Sequence, residues 1–409
     1  VEKKNNLSRF HLFFLFVLLV PCWVIGAKYF VDLKTIVKVA QLVHQDPLLV
    51  YKDFSGEAGR FFYGPIFIWL VGPMAWIPSH LVTYVWLIPQ TLSYVVFWLG
   101  LLKLMPNIFG KENKWWWFLL FSFAINPIHN NFQSNNIQLI LCAILVLSEV
   151  LLAKGSPVSD WFGALLVSLA SVIKIFPLFV WAFYFLMKGK RVKAALLVTL
   201  VGFVGFPALW VGWGGAATMY QGLIANVTTY QADNSLVDVV DILCLPSLVA
   251  RLGTQGGISE SIYAFVTKLI IVITSVVFFG FAYRKRNESR EYLINVWAMG
   301  LALMAFLNPS TRVHYFIFYV PAFCSVIGSI IKDGKLSVWL IVTAVLSFVA
   351  IALTTEGVVG KGLNNNLEAL SIPTWGFVLL LCGMVLVLRE PRSTPSPRPY
   401  GLKPHNTAC

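Results

Sequence analysis

The sequence predicts an all-α polytopic membrane protein, one bundle of about twelve transmembrane helices. Composition is the first observation behind this. Of 409 residues, 58% are hydrophobic and 12% charged, with a mean hydropathy of +0.76, whereas soluble domains carry about 25% charged residues. Next, the apolar runs are long and continuous, not alternating, which argues against a β-barrel. Third, most Lys and Arg sit in short clusters between those runs, as cytoplasmic loops do. The net charge of +13 therefore reads as a topology signal, and no nucleic-acid partner is expected.

In chain order, apolar spans fall near 10–28, 61–77, 80–105, 115–128, 136–153, 160–175, 177–188, 192–212, 261–283, 291–308, 313–331, 336–354 and 373–388. The first is expected to stay as an uncleaved helix, because it is long and Asp32 follows closely. If every span crossed, the two ends would lie on opposite sides. Yet both ends are basic, with Lys3, Lys4 and Arg9 at one and Arg389, Arg392, Arg398 and Lys403 at the other. Both are therefore expected in the cytoplasm. The span that fails to cross is 61–77, which is short and carries Gly64, Pro65, Gly72 and Pro73. It reads as an interfacial or re-entrant helix on the outer face. The clusters Lys103/Lys111/Lys114, Lys154, Lys188–Lys193, Arg284–Arg290 and Lys332/Lys335 then all fall inside. The pair 160–175 and 177–188 reads as two short crossings or one helix kinked at Pro177.

This arrangement makes 1–388 one transmembrane domain and 389–409 a disordered, Pro-rich basic cytoplasmic tail. The outer face holds a loop at 29–79 with interfacial helices, a polar turn at 129–135, a long loop at 213–258 and a turn at 309–312. Within 32–44, Leu33, Ile36, Val37, Ala40 and Val43 recur at helical spacing, the pattern of an amphipathic surface helix opened by Asp32.

Ionisable residues at membrane depth or at span ends are functional candidates. Asp32 is either an N-terminal cap or a general base, with Asp53 as the second candidate base and Glu57 a solvated loop residue. Tyr63-Gly64-Pro65 starts the interfacial segment, as simple helix initiation or as a cleft wall. The amides from Asn130 to Gln138, including Asn135 and Asn136, cap a helix or bind sugar hydroxyls. Lys174 has no carboxylate near it in sequence, and it either snorkels or offers a point charge to a phosphate. Arg312 and His314, two apart at a span end, match phosphate recognition and proton-sensitive hydrogen bonding. The six cysteines show no metal or disulfide spacing. No Walker A, HExxH, GxSxG or Asp-x-Asp motif is present. ATP-driven and serine-hydrolase chemistry and a dedicated divalent-metal site are therefore not indicated.

Taken in order, these motifs resemble glycosyltransferase family 87, membrane enzymes of the GT-C superfamily that include polyprenol-phosphate-mannose-dependent mannosyltransferases. Val31-Asp32-Leu33 and the stretch from Gln45 to Tyr51 stand where the family has Asp-Leu/Phe followed by Gly-x-x-x-Tyr. Tyr63-Gly64-Pro65 stands at its Tyr-Pro-Pro, Asn135-Asn136-Ile137-Gln138 at its Gly-Gln-x-Asn, and Lys174-Ile-Phe-Pro177 at its Lys-x-x-Pro. Asn234-Ser235-Leu236 looks like its Asn-x-Ser-Leu region, one residue short, and Ser310 to Tyr315 like its late His motif. The likeness covers roughly 10–330. Gly64 in place of Pro, and Asn135-Asn136 in place of Gly-Gln, are its departures.

The resemblance implies a GT-C-type bundle in the cell (inner) membrane, with its site on the outer, periplasmic face. It implies a lipid-phosphate sugar donor and a catalytic Asp in the first outer loop. The implied reaction moves a hexose, mannose above all, to a lipid or glycan acceptor with inversion. Asp32 would be the base and Lys174, Arg312 and His314 would bind the donor phosphate. Tyr63, Asn135, Asn136, Gln138 and Asn234, with the loop from Thr228, would bind sugar or acceptor. No cofactor is called for, and a metal-independent transfer is expected. A transporter or flippase of lipid-linked sugars is the alternative, though duplicated halves are not evident. A polymerase or ligase joining two lipid-linked glycans is a third reading.

Overall fold

The computed structural model describes residues 9–28, 31–53, 61–109, 114–233, 242–333 and 338–389. Among these there is no strand, and all thirteen apolar runs are helical. In lipid a helix is the open-ended element that satisfies its own backbone.

The helices are Arg9–Lys28 (α1), Val31–Gln45 (α2), Leu49–Asp53 (α3), Pro65–Val71 (α4), Ser79–Leu104 (α5), Lys114–Ser134 (α6), Gln138–Leu152 (α7), Pro157–Ile173 (α8) and Leu178–Met187 (α9). There follow Lys190–Asp233 (α10), Leu245–Gln255 (α11), Glu260–Arg284 (α12), Arg290–Leu307 (α13), Val320–Asp333 (α14), Val338–Ala352 (α15), Glu356–Val359 (α16), Lys361–Ala369 (α17) and Ile372–Arg389 (α18). Among the described residues, six helical segments are long and apolar enough to cross a membrane by length and composition. A seventh arises if α1 and α2, bent by 56°, form one broken span. Several further apolar helices, among them α7, α8, α9 and α15, are shorter. The protein is an all-α membrane protein.

The centre of the bundle is α13, buried on every side. A helix apolar all round belongs in such a position. Between other helices of the bundle, small residues allow close approach, as in other membrane proteins. A Cβ on Gly100 would lie 2.3 Å from Val146 Cγ1, and one on Gly376 2.8 Å from Ala350 Cβ. Aromatic stacks fill the remaining space, with Tyr319 and Phe377 ring centres 3.8 Å apart. At the rim, α12 buries only Thr267, Phe278 and Ala282.

The stretch 160–188 is two helices. Ser156 caps α8 by accepting from Ser159 N–H, and α8 ends at Lys174, which is extended (φ −144°). Pro177 then begins α9. Both helices present basic loops at one end of the bundle, where Lys188 meets Glu149 at 3.8 Å and Arg191 meets Asp160 at 3.5 Å. Lys332–Glu291 at 2.9 Å, on α14 and α13, is a third ion pair.

Three regions differ from the sequence reading. The segment after 212 is not a plain loop. The helix breaks at Gly212 (φ 72°, ψ 167°) and resumes to Asp233, and α11 follows. The polar turn at 129–135 is mostly the last turn of α6. The stretch 355–371, which the sequence reading passed over, folds into α16 and α17. Arg251 of α11 ties them down, with Nη1 donating to Glu368 O (2.8 Å) and Ser371 Oγ (2.9 Å), and Nη2 to Ile242 O (3.1 Å).

The segment after α1 has the expected amphipathic character. In α2, Leu33, Ile36, Val39, Ala40 and Leu42 are buried, and Lys34, Lys38, Gln41 and His44 are exposed. The stretch 61–77 is α4 followed by a 3-10 turn, Gly72–Trp76.

Candidate active site

Asp32 lies in the first turn of α2, just past the break after α1. Its carboxylate is half-buried and accepts a short hydrogen bond from Asn136 Nδ2. That amide is held before any ligand arrives. Asn136 Oδ1 accepts from Gln138 N–H (3.1 Å), which turns the nitrogen toward Asp32. Asn136 N–H donates to Asn131 O (2.9 Å), and Gln90 Nε2 donates to Asn136 O (3.3 Å).

The neighbouring amides brace the backbone. Asn135 sits in the left-handed region (φ 54°), which Asn tolerates better than most residues. It is fully buried, with Nδ2 donating to Gly26 O (3.1 Å) at the end of α1 and its carbonyl accepting from Trp86 Nε1 (3.0 Å). Asn131 Nδ2 donates to Pro127 O (2.7 Å) and His314 O (2.8 Å), while its Oδ1 accepts from Leu139 N–H (3.0 Å). Asn131 thus joins the α6–α7 turn to the Arg312–Tyr315 segment. Gln138 is fully buried, and neither side-chain amide atom has a partner.

Lys174 supplies the cation. Its ammonium lies 4.9 Å from the ring centres of both Tyr63 and Tyr315 and 5.8 Å from Phe176. Aromatic faces stabilise a cation without neutralising it. Tyr63 is placed by its own main chain. Tyr51 Oη donates to Tyr63 O (2.7 Å), and Gly64 N–H donates to Ile173 O (2.9 Å). A Cβ on Gly64 would fall 1.9 Å from Val172 O. Proline would also lose the Gly64 N–H bond, so the departure from Tyr-Pro-Pro has a direct steric cause.

Arg312 precedes the 3-10 turn Val313–Tyr319. Thr311 fixes the approach, its Oγ1 donating to Ala305 O (2.6 Å) and its carbonyl accepting from Leu243 N–H (2.8 Å). The half-buried His314 ring lies 4.9 Å from that of Tyr315.

Residues far apart in sequence thus converge. Asn136, Lys174 and Arg312 all act electrostatically on Asp32, and Tyr63 senses both Asp32 and Tyr315. Burial pushes the Asp32 carboxyl above the usual carboxylate range, opposed by the Asn136 hydrogen bond, then Lys174, then Arg312. Lys174 and Tyr315 also line a cavity of about 310 Å³. Its other walls include Phe179, Val227, Met304 and Leu307, with Asn308 and Ser310 as polar groups. A cation set in an apolar cleft suits an amphiphile with an anionic head.

Asn234 and Glu57 lie outside the described residues, as do the side chains of Asp53 and of Thr228 to Asp233. Among the described residues no three His, Cys, Asp or Glu side chains gather into a metal site. The sequence reading missed Gln90 and Trp86, and gave Tyr315 no role beyond its place in the late His motif. Gln90 alone carried a signal, as an amide inside an apolar span.

Compared with known proteins, residues 61–309 match the model of glycosyltransferase family 87. The match takes in Tyr63, the 135–138 amides and Lys174, begins after Asp32 and stops before Arg312. No curated protein and no solved structure matches the chain.

Proposed function

The chain belongs to glycosyltransferase family 87 and is a membrane glycosyltransferase. From that premise we propose that it moves a hexose, mannose first among candidates, from a polyprenyl-phosphate donor to a hydroxyl of a lipid or glycan acceptor. The transfer takes place on the outer face of the cell membrane and inverts the anomeric centre. The observation that carries this reading is Asp32, held by Asn136 in the field of Lys174, which itself lines an apolar cavity.

In this reading the acceptor hydroxyl oxygen attacks the anomeric carbon as Asp32 takes its proton. The bond from that carbon to the phosphate oxygen breaks, through an oxocarbenium-like transition state. The electron pair leaves with the polyprenyl phosphate, which gains negative charge. Lys174 and Arg312 offset that charge, with His314 beside them as a neutral hydrogen-bond donor. The leaving group is already an anion, so neither a general acid nor a resident metal is required. Asn136 holds Asp32, Gln138 offers an unpartnered amide, and Tyr63 walls the sugar position. Asn135 contributes by bracing the turn.

The bundle is taken as a GT-C-type fold of twelve crossings, with both termini cytoplasmic and α2–α4 lying in the outer interface. Exposed tryptophans support two interfaces. Trp115 (82%) and Trp339 (71%) begin α6 and α15 beside lysine clusters, and Trp76 (72%) and Trp213 (81%) sit near the opposite end.

The test offers the purified, reconstituted protein a panel of radiolabelled polyprenyl-phosphate sugars. A labelled glycoside formed by the native protein and lost in Asp32→Asn is expected. An unaffected rate in folded Asp32→Asn removes that carboxylate from the mechanism. Movement of labelled lipid with no new glycosidic bond makes the protein a transporter instead.

A further inference from the structure

We propose that Asn308 is a phosphate-binding residue of this site, its Nδ2 donating a hydrogen bond to the anionic head of the lipid beside Lys174. The proposal rests on the polyprenyl-phosphate reading above and adds to it a contact that the sequence did not suggest.

Asn308 closes the end of α13. Its N–H donates to Ala305 O (3.3 Å), and its carbonyl accepts from Thr311 N–H (3.2 Å). Its side-chain oxygen spans Pro309, accepting from Ser310 N–H (3.4 Å) and Ser310 Oγ (3.1 Å). With both donors on the oxygen, the amide nitrogen is turned the other way. That nitrogen is buried and has no partner. Asn308 lines the same cavity as Lys174.

A turn of this kind needs only the oxygen, and Asp or Ser would form it equally well. The capping role therefore leaves the nitrogen unexplained. A buried donor without an acceptor is unfavourable, and a ligand or an ordered water is one way to satisfy it. Here the neighbouring ammonium selects an anion. Lys174 gives a point charge, while the amide gives a directed bond from a neutral group. As the anomeric bond breaks and the phosphate gains charge, that bond strengthens.

Asn308→Asp separates the two roles, because it keeps the oxygen that Ser310 needs and replaces the donor with a carboxylate. Binding of polyprenyl phosphate to the purified protein is compared with binding of neutral polyprenol of the same length. The variant is expected to weaken phosphate binding about tenfold or more while leaving polyprenol binding and melting temperature unchanged. Asn308→Ser keeps a turn oxygen without charge, and it decides the matter if the carboxylate prevents folding, with weaker phosphate binding again expected. Native-like phosphate binding in a folded variant overturns the role of Asn308 alone. A wild-type protein that fails to prefer the phosphate over polyprenol overturns the donor reading, and this proposal with it.

Discussion

The two ends of the bundle treat charge in opposite ways. At the end holding the basic loops, Glu149, Asp160 and Glu291 each have a cationic neighbour within 4 Å, namely Lys188, Arg191 and Lys332. At the end holding Asp32, the carboxylate is bound by a neutral amide and Lys174 rests between aromatic rings. No ion pair joins Asp32 to Lys174, although each lies in the other's field. Charges that neutralise each other secure helices. Charges kept apart by amides and rings retain their capacity for a ligand, at a cost in stability that the surrounding backbone bonds offset.

The largest effect that could break this contrast is at Asp32. Asp32→Asn should retain its fold and lose about 10²–10⁴-fold in turnover, the range of a general base, measured as glycoside formed per reconstituted protein.

Next come two lysines compared directly. Lys174→Met should raise the KM for the proposed polyprenyl-phosphate donor by at least about tenfold with no loss of melting temperature. Lys188→Met should leave Glu149 buried without its cation and destabilise the protein by roughly 3 kcal/mol while sparing the donor KM. Matching effects from the two variants would erase the distinction between the ends.

A finer test uses pH. As the proposed base, Asp32 must be ionised to accept a proton, and its pKa is raised by burial. Activity should therefore fall with decreasing pH at a higher pH than for an ordinary carboxylate. The Asn136 bond lowers that pKa, so Asn136→Ala should move the acid limb of the kcat/KM profile further up. An unmoved limb would show that Asn136 does not tune the base. Arg191→Gln should have the smallest effect, a stability change within about 1 kcal/mol, since Arg191 is largely exposed, read by thermal unfolding in detergent.

Much of the architecture is legible from hydropathy, since the described part of each apolar run is mainly helical. The meeting of Asp32, Lys174 and Arg312 also follows from asking which span ends share a side of the membrane. What hydropathy cannot show is which way an amide faces. Asn131, Asn135 and Asn136 read alike in sequence. Only the unpaired backbone groups around them decide that Asn136 reaches Asp32 while the other two hold Gly26 and His314. The continuation of α10 past Gly212 is hidden because glycine there reads as a stop. The clamp of Arg251 on α17 joins segments with no shared pattern.

Gly64 carries a last consequence. The bond from Gly64 N–H to Ile173 O joins the main chain next to Tyr63 to the main chain next to Lys174 and so fixes the spacing of the two backbones that carry the phenol and the ammonium. Substitutions along the far wall of the cavity, at Phe179, Val227 or Met304, can therefore reshape the space for the proposed lipid without respacing those backbones. In the proposed reaction, the range of lipids accepted can then drift while the polar groups keep their places.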